Sequence, residues 1–242
     1  MPLTPTAPSM RIAEIYASLQ GEGMLAGTPT AFVRTSGCNL RCHWCDTPFT
    51  SWEPAGEQQT VAEVAAHVAA LRQRHVVITG GEPLLVADVA ELCRLLRGDG
   101  MHVTIETAGT VFLDAPADLM SISPKLASSA PPSDTPGDWR ARHENTRRRD
   151  DVILMLMAGG DYQLKFVIDS PADLQEASAW IGDLAAARPA GVDRGRVLFM
   201  PQGRGARELS RTTAWLLPEC RRLGIRLAHR FHIEWFGHTR GT

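Results

Sequence analysis

Three cysteines crowded into one short loop constrain this chain more than any other feature of its sequence. Cys38, Cys42 and Cys45 have the spacing C-x3-C-x2-C and follow directly after a predicted β-strand at residues 31–34. Clustered cysteines in a reducing compartment indicate metal or redox chemistry rather than disulfides. Thiolates are soft ligands that suit zinc or iron–sulfur clusters. The fold is therefore expected to present this loop to a metal centre.

The number of available ligands favours an iron–sulfur cluster over a zinc ion. A structural zinc site normally takes four protein ligands, usually as two separated pairs, and the sequence has no second cysteine pair. His43 could be a fourth ligand, but its position between two cysteines would strain simultaneous coordination. Ferredoxin spacings supply a fourth cysteine, whereas three cysteines leave one iron of a [4Fe–4S] cluster open, which suits catalysis. Cys93 and Cys220 lie in helical patterns and are expected to be small buried hydrophobes.

The composition is that of an ordinary globular protein. With 242 residues, 44% of them hydrophobic, the chain is long enough to bury one sizeable core. Its formal net charge of −2 gives no electrostatic reason to expect a nucleic-acid surface. No apolar run approaches the roughly 20 residues that span a bilayer, and residues 1–10 lack the regions of a signal peptide. We expect a cytoplasmic protein without nucleic-acid or membrane partners.

Short β-branched runs alternate with amphipathic segments along the chain. Strands are predicted at residues 31–34, 75–79, 102–106, 119–123, 163–168, 197–200 and 226–228. Helices are predicted at residues 60–73, 86–96, from Ser170 onward, and at 210–223 with an end at Gly224. Strands joined by helical crossovers form a parallel sheet, and six or seven units fall short of a full eight-stranded barrel. We expect an α/β fold, an incomplete TIM-type barrel with outer helices and its site at the carboxyl ends of the strands.

One stretch interrupts this alternation. Residues 126–150 are rich in Ser, Pro and Arg and show almost no apolar periodicity, which predicts a flexible surface insertion. The arginine run at 147–149 could touch an anion, although a solvated loop is the simpler interpretation. We expect residues 1–242 to form a single domain that carries this insertion.

At the cysteine loop the sequence resembles the radical S-adenosylmethionine (SAM) superfamily, whose hallmark is this motif after the first barrel strand. Two flanking segments are similar to the 7-carboxy-7-deazaguanine synthase family: EIYASLQGEG at residues 14–23 and CDT at 45–47. Further similar segments are TGGEP at 79–83, IET at 105–107, SPK at 123–125, LK at 164–165 and the tail at 232–241. The resemblance thus extends from about residue 11 to the C-terminus and implies a radical SAM core.

The resemblance implies a lyase with a defined reaction. The open iron of a [4Fe–4S] cluster would bind SAM, and cleavage of SAM would release a 5′-deoxyadenosyl radical. This radical would abstract hydrogen from C6 of 6-carboxy-5,6,7,8-tetrahydropterin. Ring contraction with loss of ammonia would give 7-carboxy-7-deazaguanine, a precursor of queuosine and other 7-deazapurines. The resemblance also implies dependence on Mg²⁺, a homodimer, and an external reductant such as flavodoxin or ferredoxin.

The same resemblance assigns roles to particular positions. Thr47 would bind Mg²⁺, which needs few protein oxygen ligands, although a turn threonine before Pro48 is the alternative. Arg34 would bind a substrate carboxylate, because a guanidinium is its natural bidentate partner. The expected cofactor positions, besides the three cysteine ligands, are Trp44, Asp46, Gly80, Gly81, Glu82, Glu106, Ser123, Lys125 and Gln202. The expected substrate positions are Leu19, Gln20, Gly21, Arg34, Thr79, His232 and Arg240.

Two other functions remain open from the sequence. Another radical SAM enzyme, such as a glycyl-radical activase, is the nearer alternative, although auxiliary clusters need more cysteines than Cys93 and Cys220 supply. A zinc-stabilised binding module belongs to a different class and would be colourless, whereas a cluster protein is brown. Use of the product in tRNA modification and in deazapurine natural products both fit the sequence.

Overall fold

The computed structural model describes residues 7–242. Our expectations that residues 1–10 are not a signal peptide and that residues 1–242 form one domain fall partly outside this range. The strands are β1 (Ser9–Leu19), β2 (Pro29–Thr35), β3 (Glu57–Thr60), β4 (His75–Gly80), β5 (His102–Thr107), β6 (Leu119–Ile122), β7 (Tyr162–Ile168), β8 (Val197–Pro201) and β9 (Arg226–Leu227). The helices are α1 (Pro48–Ser51), α2 (Val61–Ala70), α3 (Val89–Gly98), α4 (Trp139–Arg147), α5 (Asp150–Ala158), α6 (Pro171–Ala187), α7 (Ala206–Leu223) and α8 (Phe231–Phe236).

The strands form one open sheet in the order β3-β1-β2-β4-β5-β6-β7-β8-β9. Every pair from β2 to β9 is parallel, whereas β1 pairs antiparallel with both β2 and β3. Strands β3 and β9 stay at opposite edges of the sheet, so the barrel does not close. The predicted α/β fold with an incomplete barrel is confirmed, and all seven predicted strands belong to its parallel part.

The sequence prediction missed the two antiparallel strands. The edge strand β3 is four residues long and polar, with the sequence EQQT, and its first two side chains are exposed. Strand β1 has mostly half-buried side chains and no regular alternation of buried and exposed positions. A strand without this alternation lacks the period-2 signal by which a half-buried strand is predicted.

The predicted helices exist, with different limits. Helix α2 begins with the predicted capping box of Thr60 and Glu63 but ends at Ala70, since Arg72 has a left-handed φ of 55°. Helix α3 begins at Val89 rather than at residue 86. Helix α7 begins at Ala206, before the predicted start at Ser210, and ends at Gly224 as predicted. It is not the last helix, because α8 follows.

The segment 126–150, predicted as a flexible insertion, contains helix α4 and a short 3₁₀ turn at Ala127–Ser129. Leu126, Ser129 and His143 are buried. The composition predicted little regular structure here because the segment has few apolar residues, but three buried side chains anchor it. Its mobility stays a prediction. No helix within residues 7–242 is long and apolar enough to cross a membrane.

His75 at the start of β4 is buried between two threonines. Its Nδ1 lies 2.7 Å from Oγ1 of Thr30, and its Nε2 lies 2.9 Å from Oγ1 of Thr104. Burial, helped by the charge of nearby His102, lowers the pKa of His75 to about 4. The unfolded chain therefore binds more protons than the folded chain below the ordinary pKa of about 6.5. Stability from neutral His75 is present above that pH and is lost as the pH falls toward 4.

We predict that the wild-type protein loses about 2 kcal/mol of unfolding free energy at this site between pH 7 and pH 5. His75→Asn should remove this loss because asparagine does not titrate, although the variant is less stable at both pH values. Urea midpoints measured anaerobically at each pH give the comparison. His67→Asn, at an exposed position of α2, is the control and should keep the wild-type pH dependence. An equal loss in the wild type and His75→Asn would contradict this assignment.

Candidate active site

The side chains of the parallel strands alternate between two environments. On β2, Val33 packs in the hydrophobic core while Arg34 lines a cavity, and on β4, Ile78 packs in the core while Thr79 lines the cavity. The same parity continues along the sheet, with the cavity-facing residues Glu106, Ser121, Lys165, Val167 and Met200. Successive side chains on a strand point to opposite faces, so one face of the sheet packs against helices and the other forms the site.

The cavity has a volume of about 480 Å³ and lies at the carboxyl ends of the parallel strands. A volume of this size falls within the roughly 300–1,000 Å³ range of small-molecule sites. Most of the predicted site residues line it together: Leu19, Gln20, Gly21, Arg34, Cys38, Cys42, Trp44, Cys45, Asp46, Thr47, Thr79, Gly80, Gly81, Glu106, Ser123, Lys125, His232 and Arg240.

Glu82 and Gln202, both predicted to bind cofactor, do not line the cavity. Glu82 is fully buried, and its carboxylate accepts hydrogen bonds from the Thr107 hydroxyl at 2.8 Å and from the Ala108 and Leu84 amides at 2.8 and 3.1 Å. Burial raises its pKa against the effect of these hydrogen bonds. Glu82 thus braces the turn after β4, and the backbone amide of Gln202 bonds the carbonyl of Ile168.

Gly80 and Gly81 allow the cysteine loop to approach the end of β4 closely. A Cβ atom on Gly80 would lie 2.1 Å from the carbonyl oxygen of Thr35, and one on Gly81 would lie 2.0 Å from that of Gly37. Gly80 also has a φ of 136°, which L side chains rarely adopt. Both glycines are therefore required by the packing of two backbone segments, in addition to any contact with a cofactor.

The three thiols of the cysteine loop face the same cavity. Cys42 is buried, and Cys38 and Cys45 are half-buried. Among residues 7–242, no three His, Cys, Asp or Glu side chains lie close enough together to hold a single metal ion. A structural zinc site normally takes four protein ligands, whereas the loop presents three thiols to the cavity. The donor set fits a [4Fe–4S] cluster with three cysteine ligands.

Burial also shapes the acidity of these thiols. It raises the pKa of Cys38 to about 11 and that of Cys42 to about 12. Metal binding requires the thiolate form and releases the thiol protons. The Cys45 thiol has hydroxyl partners, with Ser51 Oγ at 3.3 Å and Thr47 Oγ1 at 3.9 Å. Thr47 therefore lies directly beside one cysteine of the loop, with its hydroxyl in the cavity wall.

Segment 126–150 packs against the cysteine loop and holds it through hydrogen bonds. The backbone amide of Arg41 donates to Nδ1 of His143 at 3.3 Å, and Nε2 of His143 lies 2.9 Å from the Ser129 hydroxyl. That hydroxyl donates to the carbonyl of Leu126 at 2.6 Å, while the carbonyl of Ser129 accepts from the amide of His43. Nδ1 must therefore be an acceptor and Nε2 a donor, which fixes a neutral imidazole. Burial lowers the pKa of His143 to about 4, consistent with this form.

A network of four charged side chains lines the cavity. Lys165 and Arg230 both form ion pairs with Glu22, and Arg230 also pairs with Asp46. Burial alone would raise the pKa of Glu22, but the charges of Lys165, Arg230 and His232 outweigh it and hold that pKa far below its usual range. Burial lowers the pKa of Lys165, but the charge of Glu22 outweighs it and the net shift is upward. Glu22, Lys165 and Arg230 are therefore all ionised at neutral pH.

A second polar group surrounds Arg34. Its Nε donates to Glu14 and one Nη donates to the Tyr16 hydroxyl, both at 2.8 Å. Glu14 also accepts from Arg240 at 2.7 Å, and the Arg240 guanidinium lies 4.1 Å above the ring of Phe49. These contacts bring the C-terminal tail over the entrance side of the cavity.

The side chains of Gln20 and Thr79 both donate hydrogen bonds to the carboxylate of Glu106. The Gln20 amide donates to Glu106 Oε1 and the Thr79 hydroxyl donates to Glu106 Oε2, both at 3.1 Å. Arg34 and Thr79 are also neighbours across the β2–β4 pair. The carboxylate thus orients two side chains for which a substrate role is predicted.

His232 reaches the cavity from α8 by packing on Gly21. A Cβ atom on Gly21 would lie 2.4 Å from Nδ1 of His232, and the Gly21 carbonyl accepts from the amide of Phe231 at 2.9 Å. Burial lowers the pKa of His232 against the opposing charge of Glu22. A neutral imidazole therefore faces the cavity at neutral pH, with Nε2 3.8 Å from the Glu22 carboxylate.

Sequence reasoning missed several residues of this wall. The sequence assigns no role to Glu22, Lys165 or Arg230. Lys165 could have been found by strand alternation, because it lies between the core residues Leu164 and Phe166. Glu22 and Arg230 carry no local signal, since they meet Lys165 and Asp46 only in the folded chain.

The fold and the cavity together define an enzyme of the radical SAM superfamily, and residues 32–155 match that superfamily. Solved structures share the fold. QueE from Escherichia coli has a TM-score of 0.69 at 22% identity, covering 93% of this chain and 95% of that one. Streptococcus suis SuiB bound to S-adenosylmethionine has a TM-score of 0.53 at 13% identity, covering 83% of this chain and 53% of that one.

Two relatives show which family within the radical SAM superfamily this chain resembles. The 7-carboxy-7-deazaguanine synthase of Rhodopirellula baltica is 42% identical over 235 residues, 97% of this chain and 89% of the relative. That of Halobacterium salinarum is 43% identical over 233 residues, 93% of this chain and 90% of the relative. The chain belongs to the 7-carboxy-7-deazaguanine synthase family. It is therefore a radical SAM lyase that uses a [4Fe–4S] cluster and SAM, acts on a small molecule and needs an external reductant.

We predict that Cys42→Ala abolishes stable cluster binding, because the remaining two thiolates leave two irons without protein ligands. After anaerobic reconstitution, iron and sulfide content and the charge-transfer absorbance should fall to background. Cys220→Ala is the control, since Cys220 is also buried but lies on α7, and it should retain the wild-type cluster content. Full iron and sulfide in Cys42→Ala would contradict the ligand assignment, as would a colourless wild type that retains zinc.

Proposed function

We propose that this chain converts 6-carboxy-5,6,7,8-tetrahydropterin to 7-carboxy-7-deazaguanine with loss of ammonia, in queuosine or 7-deazapurine biosynthesis. The observation that carries the proposal is one cavity in which three cysteine thiols and a set of oriented polar side chains converge. A glycyl-radical activase would need a protein-sized substrate entrance, whereas the C-terminal tail packs over this cavity through Arg240 and Phe49. A zinc-stabilised module would need a fourth ligand beside the three loop cysteines, and the match to the radical SAM superfamily favours a cluster instead.

The substrate side of the cavity is the wall formed by β1, β2 and the tail. Arg34 would bind the pterin carboxylate, since Glu14 and Tyr16 hold its guanidinium in place from one side. The Gln20 amide and the Thr79 hydroxyl would bind the edge of the pterin ring, both oriented by Glu106. Leu19 and Gly21 would pack beside the ring. His232 and Arg240 would close the cavity over it.

The cofactor side is the cysteine loop with the ends of β4 to β6. When bound, the cluster and SAM supply the radical that begins the reaction. The backbone at Gly80 and Gly81 and the side chain of Glu106 would face the SAM amino group. Ser123 and Lys125 would face its carboxylate and ribose, with Lys125 Nζ held 2.8 Å from Ser123 Oγ.

Three further side chains complete the proposed cofactor side. Trp44 and Asp46 would flank the cluster, and Thr47 would contribute its hydroxyl to Mg²⁺, which keeps most of its ligands for substrate and water. The cofactor roles predicted for Glu82 and Gln202 become indirect in this proposal, through the bracing of adjacent turns. We also propose that residues 1–242 act as a single domain, that the enzyme is a cytoplasmic homodimer, and that flavodoxin or ferredoxin is its reductant.

The buried charges would protect the reaction from water. Glu22, Lys165 and Arg230 satisfy one another across the cavity, so their charge needs no solvent. The neutral His232 can accept a proton at Nε2, at a distance of 3.8 Å from Glu22. This imidazole is therefore placed to exchange a proton while the substrate loses ammonia.

We predict that Arg34→Lys raises the KM for 6-carboxytetrahydropterin at least about tenfold, because an ammonium cannot reproduce a bidentate guanidinium contact. The KM for SAM and the melting temperature should change little. Steady-state kinetics with each substrate varied in turn give the comparison. Arg94→Lys, on the exposed face of α3, is the control. A similar rise in both KM values would indicate that Arg34 only supports the fold.

The proposed function is tested by anaerobic reconstitution with iron and sulfide, followed by incubation with dithionite, SAM, Mg²⁺ and 6-carboxytetrahydropterin. Mass spectrometry should detect 7-carboxy-7-deazaguanine and 5′-deoxyadenosine. If 5′-deoxyadenosine forms without the deazaguanine, the substrate assignment is wrong, but the assignment to the radical SAM superfamily still holds. A fully loaded cluster that gives neither product would contradict the catalytic proposal itself. Omission of Mg²⁺ should lower the rate.

A further inference from the structure

Four arginines surround the outer side of the cysteine loop without an acidic partner. Within residues 7–242, Arg41, Arg140, Arg142 and Arg204 form no ion pair, although each lies on or beside this loop or on α4. Arg140, Arg142 and Arg204 are exposed, whereas Arg41 is buried. Their charge is therefore not neutralised within the described part of the chain.

The neighbouring arginines at 147–149, by contrast, all form ion pairs. Arg147 pairs with Glu144 and Glu176 at 2.8 and 2.7 Å, and Arg148 pairs with Asp150 and Asp183 at 2.9 and 2.7 Å. Arg149 pairs with Asp151 at 2.7 Å. The run at 147–149, for which the sequence favoured a solvated loop over an anion contact, is thus neutralised internally. Within segment 126–150, the arginines that form no ion pair are Arg140 and Arg142, which lie on α4 beside the cysteine loop.

Two of the unpaired arginines, Arg41 and Arg204, contact the backbone of the cysteine loop. One Nη of Arg41 donates to the carbonyls of Cys38 and Leu40 at 2.9 and 2.8 Å. One Nη of Arg204 donates to the carbonyl of Cys45 at 3.2 Å. The thiols of Cys38 and Cys45 line the cavity. Only the backbone of the cysteine loop therefore lies between the guanidinium groups of Arg41 and Arg204 and the proposed cluster position.

An aromatic side chain lies against two of these charges. The Arg41 guanidinium stacks 3.9 Å from the centre of the Trp139 ring, and the Arg142 guanidinium lies 5.4 Å from the same ring. Trp139 is half-buried and His43, on the loop itself, is exposed. The contact of His143 with the Arg41 amide fixes α4 against the loop. The surface is thus built around the cysteine loop rather than on a detached part of the chain.

The surface is positive on balance. The four unpaired arginines outnumber three exposed acidic side chains nearby: Asp134 and Asp138, which precede α4, and Glu208, whose carboxylate accepts from the Arg204 amide at 2.8 Å. The protein as a whole has a formal net charge of −2, so the positive region is local. A local charge of one sign steers an oppositely charged partner to its site and raises the association rate.

We propose that the arginine surface, defined as His43, Trp139, Arg140, Arg142 and Arg204, is the docking site of an acidic one-electron carrier protein. The reduced carrier gives up one electron and is oxidised, and the [4Fe–4S] cluster takes up that electron and is reduced from the 2+ to the 1+ state. No bond or proton is transferred. The proposal rests on the cluster and not on the pterin substrate.

The test compares two double variants of equal charge. Arg140→Glu/Arg142→Glu reverses the arginine surface, and Arg94→Glu/Arg211→Glu reverses two exposed arginines on α3 and α7. Each is reconstituted as the holoenzyme, and cluster reduction is followed by stopped-flow absorbance with reduced flavodoxin or ferredoxin over a range of ionic strengths. The reduction rate should fall at least about tenfold at low salt in the first variant and stay within about twofold in the second.

Three controls make the outcome decisive. Iron and sulfide content and dithionite-driven formation of 5′-deoxyadenosine should be unchanged in both variants, which shows that the cluster itself is intact. The wild-type rate with the carrier should fall as salt rises, and that of Arg140→Glu/Arg142→Glu should depend little on salt. Equal rates in the two variants would overturn the proposal. An unchanged rate with lost retention on heparin would also overturn it and would assign the surface to a polyanion such as RNA.

Discussion

Four charged side chains from distant parts of the sequence meet in the cavity, and the site depends on their mutual neutralisation. Glu22 follows β1, Asp46 follows the cysteine loop, Lys165 lies on β7 and Arg230 begins the tail. Removing one partner of a buried ion pair typically costs about 3–5 kcal/mol, because the other charge remains buried. The network therefore ties the first loop, the cysteine loop and the C-terminal tail to one strand of the sheet, and these are the segments that enclose the cavity.

Around this network, the strands of the open barrel position the other side chains of the cavity. Strand alternation presents Arg34 and Thr79 to the cavity and Val33 and Ile78 to the helices. The glycines after β4 then bring the cysteine loop against the strand ends, where a side chain would collide with backbone. The three thiols and the side chains proposed to bind cofactor and substrate thus line one cavity.

The parts of the site that follow a local pattern could be predicted from the sequence. The cysteine spacing, the strand-end positions of Arg34 and Thr79, and the parallel strands all carry short-range signals. Glu22 and Arg230 could not be assigned, because their partners are 143 and 184 residues away along the chain. Strand β1 was missed because most of its side chains are half-buried and buried and exposed positions do not alternate regularly. Segment 126–150 was underestimated because a few buried contacts, such as those of His143, replace apolar periodicity.

The central claim is that the three cysteines leave one iron of the cluster open toward this cavity. Mössbauer spectroscopy of the ⁵⁷Fe-reconstituted holoenzyme, with and without SAM, tests it most directly. The account predicts that SAM changes the isomer shift of one iron in four, because only the iron without a cysteine ligand can bind its amino and carboxylate groups. Four irons that remain unaffected by saturating SAM would contradict the account, since every iron would then already hold a protein ligand.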